Sequence, residues 1–502
     1  MKSKLVFFAF ATISLPVLAQ EADKTPSVKV DPAPVSRQAG VITSFAPVVE
    51  KVGPSVVQIS TSKNVKPGAR SRMFDDPFFR RFFGLPNEDE PQDEAPQPDR
   101  RDGRGGGRTQ KEALGLGSGV IVSAEGHILT NSHVIDGADD ILVTITGDKR
   151  EYKAKRVGND PATDLAVLQF ETKPAKLKPI TFGDSDKLRV GDVAVAIGNP
   201  FGLSQTVTMG IISATGRRMG IIDNGSGYED FLQTDASINP GNSGGALVDV
   251  EGRLIGINTA IFSRTGTNLG IGFAVPVNLA HSVMDSLITN GRVVRGYLGV
   301  GLQALDDALA SRFKLKSTDG TIVSSVEPKS PAAKAGLAAG DVITEINGRP
   351  IVGVSEMRML VSSFSPGTKV NVKYLRDGNE KKAEIELAEL PSRKQEMPAA
   401  KPDIVEPDVL DGVTVGDIDE QARKKFEIAE DAKGVVVIEI DDESASHAAG
   451  IRVGDVIHEI EHKALASAND AVEMSEKLKK EKELLLRVST KGASRFVVVK
   501  EL

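Results

Sequence analysis

The stretch Gln233-Thr234-Asp235-Ala236-Ser237-Ile238-Asn239-Pro240-Gly241-Asn242-Ser243-Gly244-Gly245-Ala246-Leu247 decides the reading of this chain. At its centre a serine, Ser243, lies among glycines. Such a pentapeptide forms a tight turn with backbone N–H groups exposed, as a developing oxyanion needs. Taken alone, it could also be an ordinary loop, the less favoured of the two readings. A serine hydroxyl is also a poor nucleophile until a base and an orienting group stand beside it.

Working outward, six histidines are available, and cysteine is absent, which excludes disulfides, thiolate metal sites and a cysteine nucleophile. His133, in Leu129-Thr130-Asn131-Ser132-His133-Val134, ends an apolar run at a strand–loop boundary. Asp164, in Thr163-Asp164-Leu165-Ala166-Val167-Leu168, opens an otherwise apolar strand. Alone, His133 reads as a capped turn histidine and Asp164 as a strand-end turn residue. Together the order is His, Asp, Ser, with gaps of 31 and 79 residues. That is the order of the chymotrypsin triad, unlike those of subtilisin and the α/β-hydrolases.

The surroundings are β-rich. Short runs recur between glycine turns: Gly119–Ser123, Asp140–Ile145, Leu165–Phe170, Val193–Ile197, Thr206–Ile212, Arg253–Ala260 and Gly270–Val275. Many short strands at this spacing predict barrels, not βαβ units. With 49 glycines, 26 prolines and 5% aromatics, the composition agrees. The 502 residues suggest about three domains. A formal charge of −7, with no basic stripe, argues against a nucleic-acid partner.

The C-terminal part repeats. Ser330–Ile343 recurs as Ser444–Ile457, with Gly340-Asp341-Val342-Ile343 matching Gly454-Asp455-Val456-Ile457. Two domains of about 100 residues explain this, and two copies are too few for a solenoid. A proline-rich linker, residues 391–408, separates them.

At the other end, Lys2 and Lys4 precede the apolar run Leu5–Ala19, closing on Val17-Leu18-Ala19. This reads as an export signal cut after Ala19. The alternative, an uncleaved anchor, is short of the ~20 residues that span a bilayer. The chain is expected to be exported and soluble, in the periplasm. Residues 20–40 are read as a flexible leader. Residues 66–111 form an insertion with five phenylalanines, Phe74, Phe78, Phe79, Phe82 and Phe83, beside a polar tract. Those rings want a partner surface.

Together these motifs resemble the HtrA/Deg family of exported serine proteases, the DegP/DegQ/MucD-like branch with two PDZ domains. Ala196-Ile197-Gly198-Asn199-Pro200-Phe201-Gly202 and Gly272-Phe273-Ala274-Val275-Pro276 support the resemblance. It implies a mainly β chain: a chymotrypsin-like double β-barrel protease domain (41–290) and two PDZ domains (291–390 and 409–502). It also implies roles. Ser243 attacks the scissile carbonyl, His133 moves the proton, and Asp164 orients the imidazole. The N–H groups of Gly241 and Ser243 form the oxyanion hole, and no metal or cofactor is required. By the same resemblance Arg217 belongs to a regulatory loop contacting a peptide-loaded PDZ domain. The assembly implied is a homo-oligomer, with trimers building larger cages.

Two positions refine the expectation. Asn242 stands where digestive relatives carry the aspartate of the zymogen switch, so control must come from loops. Ser237 and Ile238 leave no carboxylate at the pocket floor, so a small apolar pocket favouring Val, Ala or Ile before the cut is expected. The first PDZ domain should capture peptide C-termini at Tyr297-Leu298-Gly299-Val300 by strand addition. Asp411-Gly412-Val413 replaces this loop in the second copy, which predicts an assembly or docking role there.

One motif points elsewhere. His458-Glu459-Ile460-Glu461-His462 fits the zinc-protease pattern, but that chemistry needs a helix. The repeat places it on a strand, where residues i and i+4 are about 13 Å apart. The leading expectation is an ATP-independent endopeptidase acting on unfolded or damaged exported proteins. A chaperone role is compatible with it. A non-catalytic cage and a PDZ signalling scaffold are the competing classes, and an intact triad speaks against both.

Overall fold

In the computed structural model of the protein, residues 26, 28–33, 44–65, 110–148, 150–200, 205–222, 227–239, 241–261, 269–391, 408–410, 412–478 and 481–500 are described. The chain falls into two compact units, Met1–Val293 and Val294–Leu502. The expected signal segment, the phenylalanines of the insertion and most of the linker lie outside the described residues.

The first unit holds two barrels. Strands β1 (Val56–Val65), β2 (Gln110–Ile121), β3 (His127–Thr130), β4 (Asp140–Ile145), β5 (Glu151–Asp160) and β6 (Leu165–Phe170) close in the order β1-β2-β3-β6-β5-β4. The alternation in β4 shows why: Ile141, Val143 and Ile145 turn inward, as period-two patterning requires. The insertion begins and ends on one β-ribbon, since Val65 pairs with Gln110. Gln110 and Lys111 therefore belong to β2, and the expected boundary at 111 is corrected.

The second barrel comprises β7 (Thr181–Phe182), β8 (Val193–Gly198), β9 (Thr206–Arg217), β10 (Phe231–Thr234), β11 (Ala246–Val248), β12 (Arg253–Ile261) and β13 (Gly272–Pro276). The order is β11-β8-β9-β10-β13-β12-β7, and pairing of β11 with β12 closes it. A helix, Val277–Asn290, follows. It buries Val277, Ala280, Val283, Met284 and Leu287 on one stripe and ends at Gly291 in a left-handed cap.

Part of the expected flexible leader is ordered. Val30 bridges to Phe182, and the Asp31 N–H donates to the Phe182 carbonyl at 2.9 Å. The buried Arg253 guanidinium donates to the Ala33 carbonyl at 2.7 Å and to Asp249 at 2.7 Å. A buried guanidinium needs such partners, and the strap at 28–33 supplies one of them.

The second unit contains the repeat. Its first copy has β14 (Gly296–Tyr297), β15 (Val300–Ala304), β16 (Thr321–Val326), β17 (Val342–Ile346), β18 (Arg349–Pro350), β19 (Lys369–Arg376), β20 (Asn379–Glu386) and β21 (Ala388–Glu389). The second has β22 (Asp408–Leu410), β23 (Val413–Asp417), β24 (Val435–Ile440), β25 (Val456–Ile460), β26 (Lys463–Ala464), β27 (Glu483–Thr490) and β28 (Ala493–Lys500). Each copy packs one longer helix, Val354–Ser363 or Ala468–Leu478, against its sheet. The copies also share a small core of Leu309, Ile322, Val342, Leu485 and Phe496. Phe313 meets Phe496 edge-on at 5.4 Å, and the Gln303 side-chain amide pairs with both backbone groups of Phe496, at 2.8 and 2.6 Å.

Candidate active site

Each barrel contributes part of the site. His133 follows β3 in a turn, and its ring is almost buried. Its Nδ1 faces both carboxylate oxygens of Asp164, at 3.0 and 2.9 Å, and its backbone N–H donates to Asp164 Oδ1 at 3.0 Å. One carboxylate thus fixes both the ring and the chain that carries it. Asp164 is buried at the end of a turn before β6, with a left-handed backbone at φ 56°. A non-glycine residue holds that conformation only where its surroundings enforce it. Here its carbonyl accepts from the Ser132 N–H at 3.1 Å and from Asn131 Nδ2 at 3.0 Å.

Ser243 comes from the second barrel, in the turn before β11. Gly241 and Gly244 have φ of 99° and 81°, which suit glycine. A Cβ on Gly244 would stand 2.1 Å from the Ser118 carbonyl and 2.3 Å from Thr130 Oγ1, so the first barrel leaves no room for another residue. Within this turn the N–H groups of Asn242, Gly244 and Gly245 donate to the carbonyls of Asn239, Asn258 and Asn242. The Ser118 hydroxyl holds the Gly241 carbonyl at 2.6 Å, and the Ser118 N–H holds that of Ser243 at 2.8 Å. The Ser243 hydroxyl donates to the Thr259 carbonyl at 3.2 Å.

Sequence reading missed Asn131 and Thr259. Asn131 Nδ2 reaches both the Asp164 carbonyl and Thr259 Oγ1, the latter at 2.9 Å. It therefore ties the aspartate of one barrel to the strand flanking the serine in the other. Asn131 lies two residues before His133, in the quoted motif, but nothing in the sequence reveals its partner.

The other expected residues are placed as follows. Ile238 is fully buried in the second-barrel core against Gly272, and Ser237 is half-buried, its carbonyl accepting from Thr208 Oγ1 at 2.9 Å. Arg217 ends β9, with Nε donating to Gln233 on β10 at 2.9 Å. In the first PDZ copy Leu298 is buried and Gly299 is left-handed at φ 79°. Val300 opens β15. Tyr297 has its hydroxyl pKa raised, first by burial and then by a hydrogen bond to Glu327. His458 lies on β25, its ring nitrogens engaged by the Lys433 carbonyl at 2.6 Å and the Ser489 hydroxyl at 2.7 Å. His462 sits in the following turn with its ring against Phe313. The two imidazoles are thus committed to different partners.

Two closed barrels, one carrying a buried histidine–aspartate pair and the other a glycine-framed serine, followed by two PDZ domains, define the class: a chymotrypsin-like serine endopeptidase. Residues 117–257 match a family model described as a trypsin-like peptidase domain, and residues 296–387 and 405–500 match the PDZ domain model. The chain is 44% identical over 423 residues to "Probable periplasmic serine protease do/HhoA-like" of Haemophilus influenzae, covering 82% of this chain and 83% of that one. It is 40% identical over 474 residues to "Probable periplasmic serine endoprotease DegP-like" of Chlamydia trachomatis, covering 92% and 89%. Among solved structures, "HtrA-type protease AlgW with decapeptide" is similar at 45% identity and a TM-score of 0.54, covering 70% of this chain and 100% of that one. The chain belongs to the DegP-like branch of the HtrA family of serine endoproteases. Several of its relatives are named as periplasmic, and no helix among the described residues is long and apolar enough to cross a membrane.

Proposed function

We propose that this protein is an ATP-independent periplasmic endopeptidase that degrades unfolded or damaged exported proteins, with Ser243, His133 and Asp164 as its triad. The observation that carries the reading is the double engagement of His133 by Asp164, through Nδ1 and through the backbone N–H. It leaves the opposite ring nitrogen, Nε2, as the one to take the Ser243 proton. The hydroxyl turns from the Thr259 carbonyl toward Nε2, and Oγ attacks the scissile carbonyl. The imidazolium then returns the proton to the leaving amine. The N–H groups of Gly241 and Ser243 receive the oxyanion, since the neighbouring N–H groups of the turn are committed to carbonyls. Ser237 and Ile238 shape a small apolar pocket, and Arg217 links the adjoining loop to regulation. The sequence Leu5–Ala19 supports export, with cleavage after Ala19.

Casein digestion by the wild type and by Ser243→Ala tests the reading. The variant should lose at least about 10⁴-fold in rate. Product masses should show cuts after Val, Ala or Ile. Undiminished cleavage by Ser243→Ala overturns the assignment, and a dominant Lys or Arg preference overturns the pocket. A holdase activity retained by Ser243→Ala would establish the chaperone role.

The partners are unfolded polypeptides and peptide C-termini, and the state proposed is a trimer that builds larger cages. The five phenylalanines between 74 and 83 support assembly, at about 1.5–3 kcal/mol per fully buried ring. Deletion of Met73–Phe83 should give smaller particles in analytical ultracentrifugation, and an unchanged size distribution would refute that role.

A further inference from the structure

Glu229 is buried, and the mechanism above does not use it. Its carboxylate gathers three backbone N–H groups of the preceding loop. Oε2 accepts from Met219 at 2.6 Å and Gly220 at 2.7 Å, and Oε1 accepts from Ile222 at 2.7 Å. Charge-assisted bonds of this kind are about twice as strong as neutral ones. The chain on either side of residues 223–226 is thereby drawn together. Ile222 is fully buried in the barrel core, and its carbonyl accepts from the Gly227 N–H at 3.2 Å.

The neighbouring residue crosses to the other barrel. The Tyr228 N–H donates to the Ala162 carbonyl at 2.6 Å. Ala162 lies inside the turn that presents the catalytic aspartate. In that turn the Asp164 N–H closes on the Pro161 carbonyl at 3.3 Å, and the Thr163 hydroxyl bonds Asp160 Oδ2 at 2.5 Å. The turn ends in the left-handed Asp164 backbone. A strained catalytic residue needs restraint from outside its own loop. The Tyr228–Ala162 bond supplies that restraint, and Glu229 fixes the segment that makes it.

We propose that Glu229 is a positioning residue for catalysis: by clasping residues 219–222 it holds Tyr228 against the Asp164 turn, and so sets the Asp164–His133 pair. This rests on the triad reading. It also gives the loop between β9 and β10 a route to the active site: anything that opens the clasp slackens the aspartate.

The test uses the full chain with Glu229→Gln, which keeps shape but replaces one acceptor oxygen by a donor group. Kinetics are followed on a short chromogenic peptide with valine before the cut, normalised to sites labelled by a fluorophosphonate. The expected result is a fall in kcat of about tenfold to a hundredfold, with KM changed less than about threefold. The melting midpoint should move by only a few degrees. An unchanged kcat overturns the proposal, as does a loss of kcat that merely follows the folded fraction. If Ser243→Ala abolishes cleavage while Glu229→Gln behaves as wild type, only the role of Glu229 falls. If Ser243→Ala still cleaves, the triad reading falls first.

Discussion

The two PDZ copies share a sequence pattern and a sheet order, yet they use the same strand edge differently. In the first, β14, just before the turn at Leu298 and Gly299, pairs with β21, Gly296 opposite Glu389. Strand β15 then has one partner among the described residues, β16, and its other edge runs beside the helix Val354–Ser363. An extended peptide adds to such an edge. In the second copy the equivalent segment, β22, folds back along β23, with Asp408 opposite Thr414 and Leu410 opposite Val413. The edge that would take a peptide is paired by the chain itself, beside the helix Ala468–Leu478. A repeat detected from its glycine turns therefore does not guarantee a repeated function, because availability of the edge depends on where the preceding strand goes.

The largest expected effect separates the copies by the same lesion. Gly299 and Gly412 are both left-handed, and a Cβ would meet Ser330 at 2.2 Å or Ser444 at 2.7 Å. In the Ser243→Ala background, Gly299→Val should weaken binding of a peptide with an apolar free C-terminus by at least about tenfold. Gly412→Val should leave it within about twofold. Fluorescence anisotropy measures both, and equal losses would break the comparison.

A smaller difference lies beneath the glycine turns. Buried Asp341 takes two bonds from Arg376 on β19, at 2.6 and 2.7 Å. Its counterpart Asp455 is served by Arg495 on β28 at 2.9 Å and by the Thr490 hydroxyl at 2.5 Å. Thr490 stands at the position of Arg376 in the repeat. The carboxylate is kept, and its cation comes from the next strand. Arg376→Ala should cost the first copy about 2–3 kcal/mol, and Arg495→Ala should cost the second about 1–2, since a hydroxyl remains. Native-state hydrogen exchange at β17 and β25 reads the two; the reverse order would mean that Thr490 contributes little.

The smallest effect is on pH dependence. Burial holds the His458 pKa below its ordinary 6.5, so the unfolded chain takes the proton first. Stability from this group is complete above that value and declines as the pH falls toward the lowered folded-state pKa. The first copy has Thr344 at the matching position and contains no histidine. Protection at β25 should therefore weaken between neutral and mildly acidic pH relative to β17, and His458→Thr should remove the difference. Equal acid sensitivity of both copies would show that other groups dominate.

The order of the three proposed triad residues is legible because local motifs carry it: each sits in a short stretch whose turn chemistry is its own signature. Strands β4 and β6 were also legible to the residue, since alternation or an apolar run bounded by turns marks them. The zinc-like motif was resolved by the repeat. Glu461 and His462 occupy a left-handed two-residue turn, as do Asn347 and Gly348 in the first copy. What stayed hidden are contacts made at distance by residues with no periodic mark. Glu229 reads as one more acidic residue in a polar loop, and Asn131 as a loop amide. The fold-back of β22 is invisible for the same reason: pairing of so short a strand leaves little trace in composition. The strap at 28–33 looked flexible because its proline-flanked, polar sequence pairs only with strands made much later.

That strap carries a consequence for the order of events in folding. The bond from Arg253 to the Ala33 carbonyl spans 220 residues, and that from Lys187 to Pro32 spans 155. Contacts of such separation form late, because the intervening loop must first be closed by other structure. Among the earliest residues with a described structure, the strap thus waits longest for its seat. The buried guanidinium of Arg253 can meet Asp249, four residues away, well before it gains its Ala33 partner, so the strap adds its bond to a side chain already held on one side.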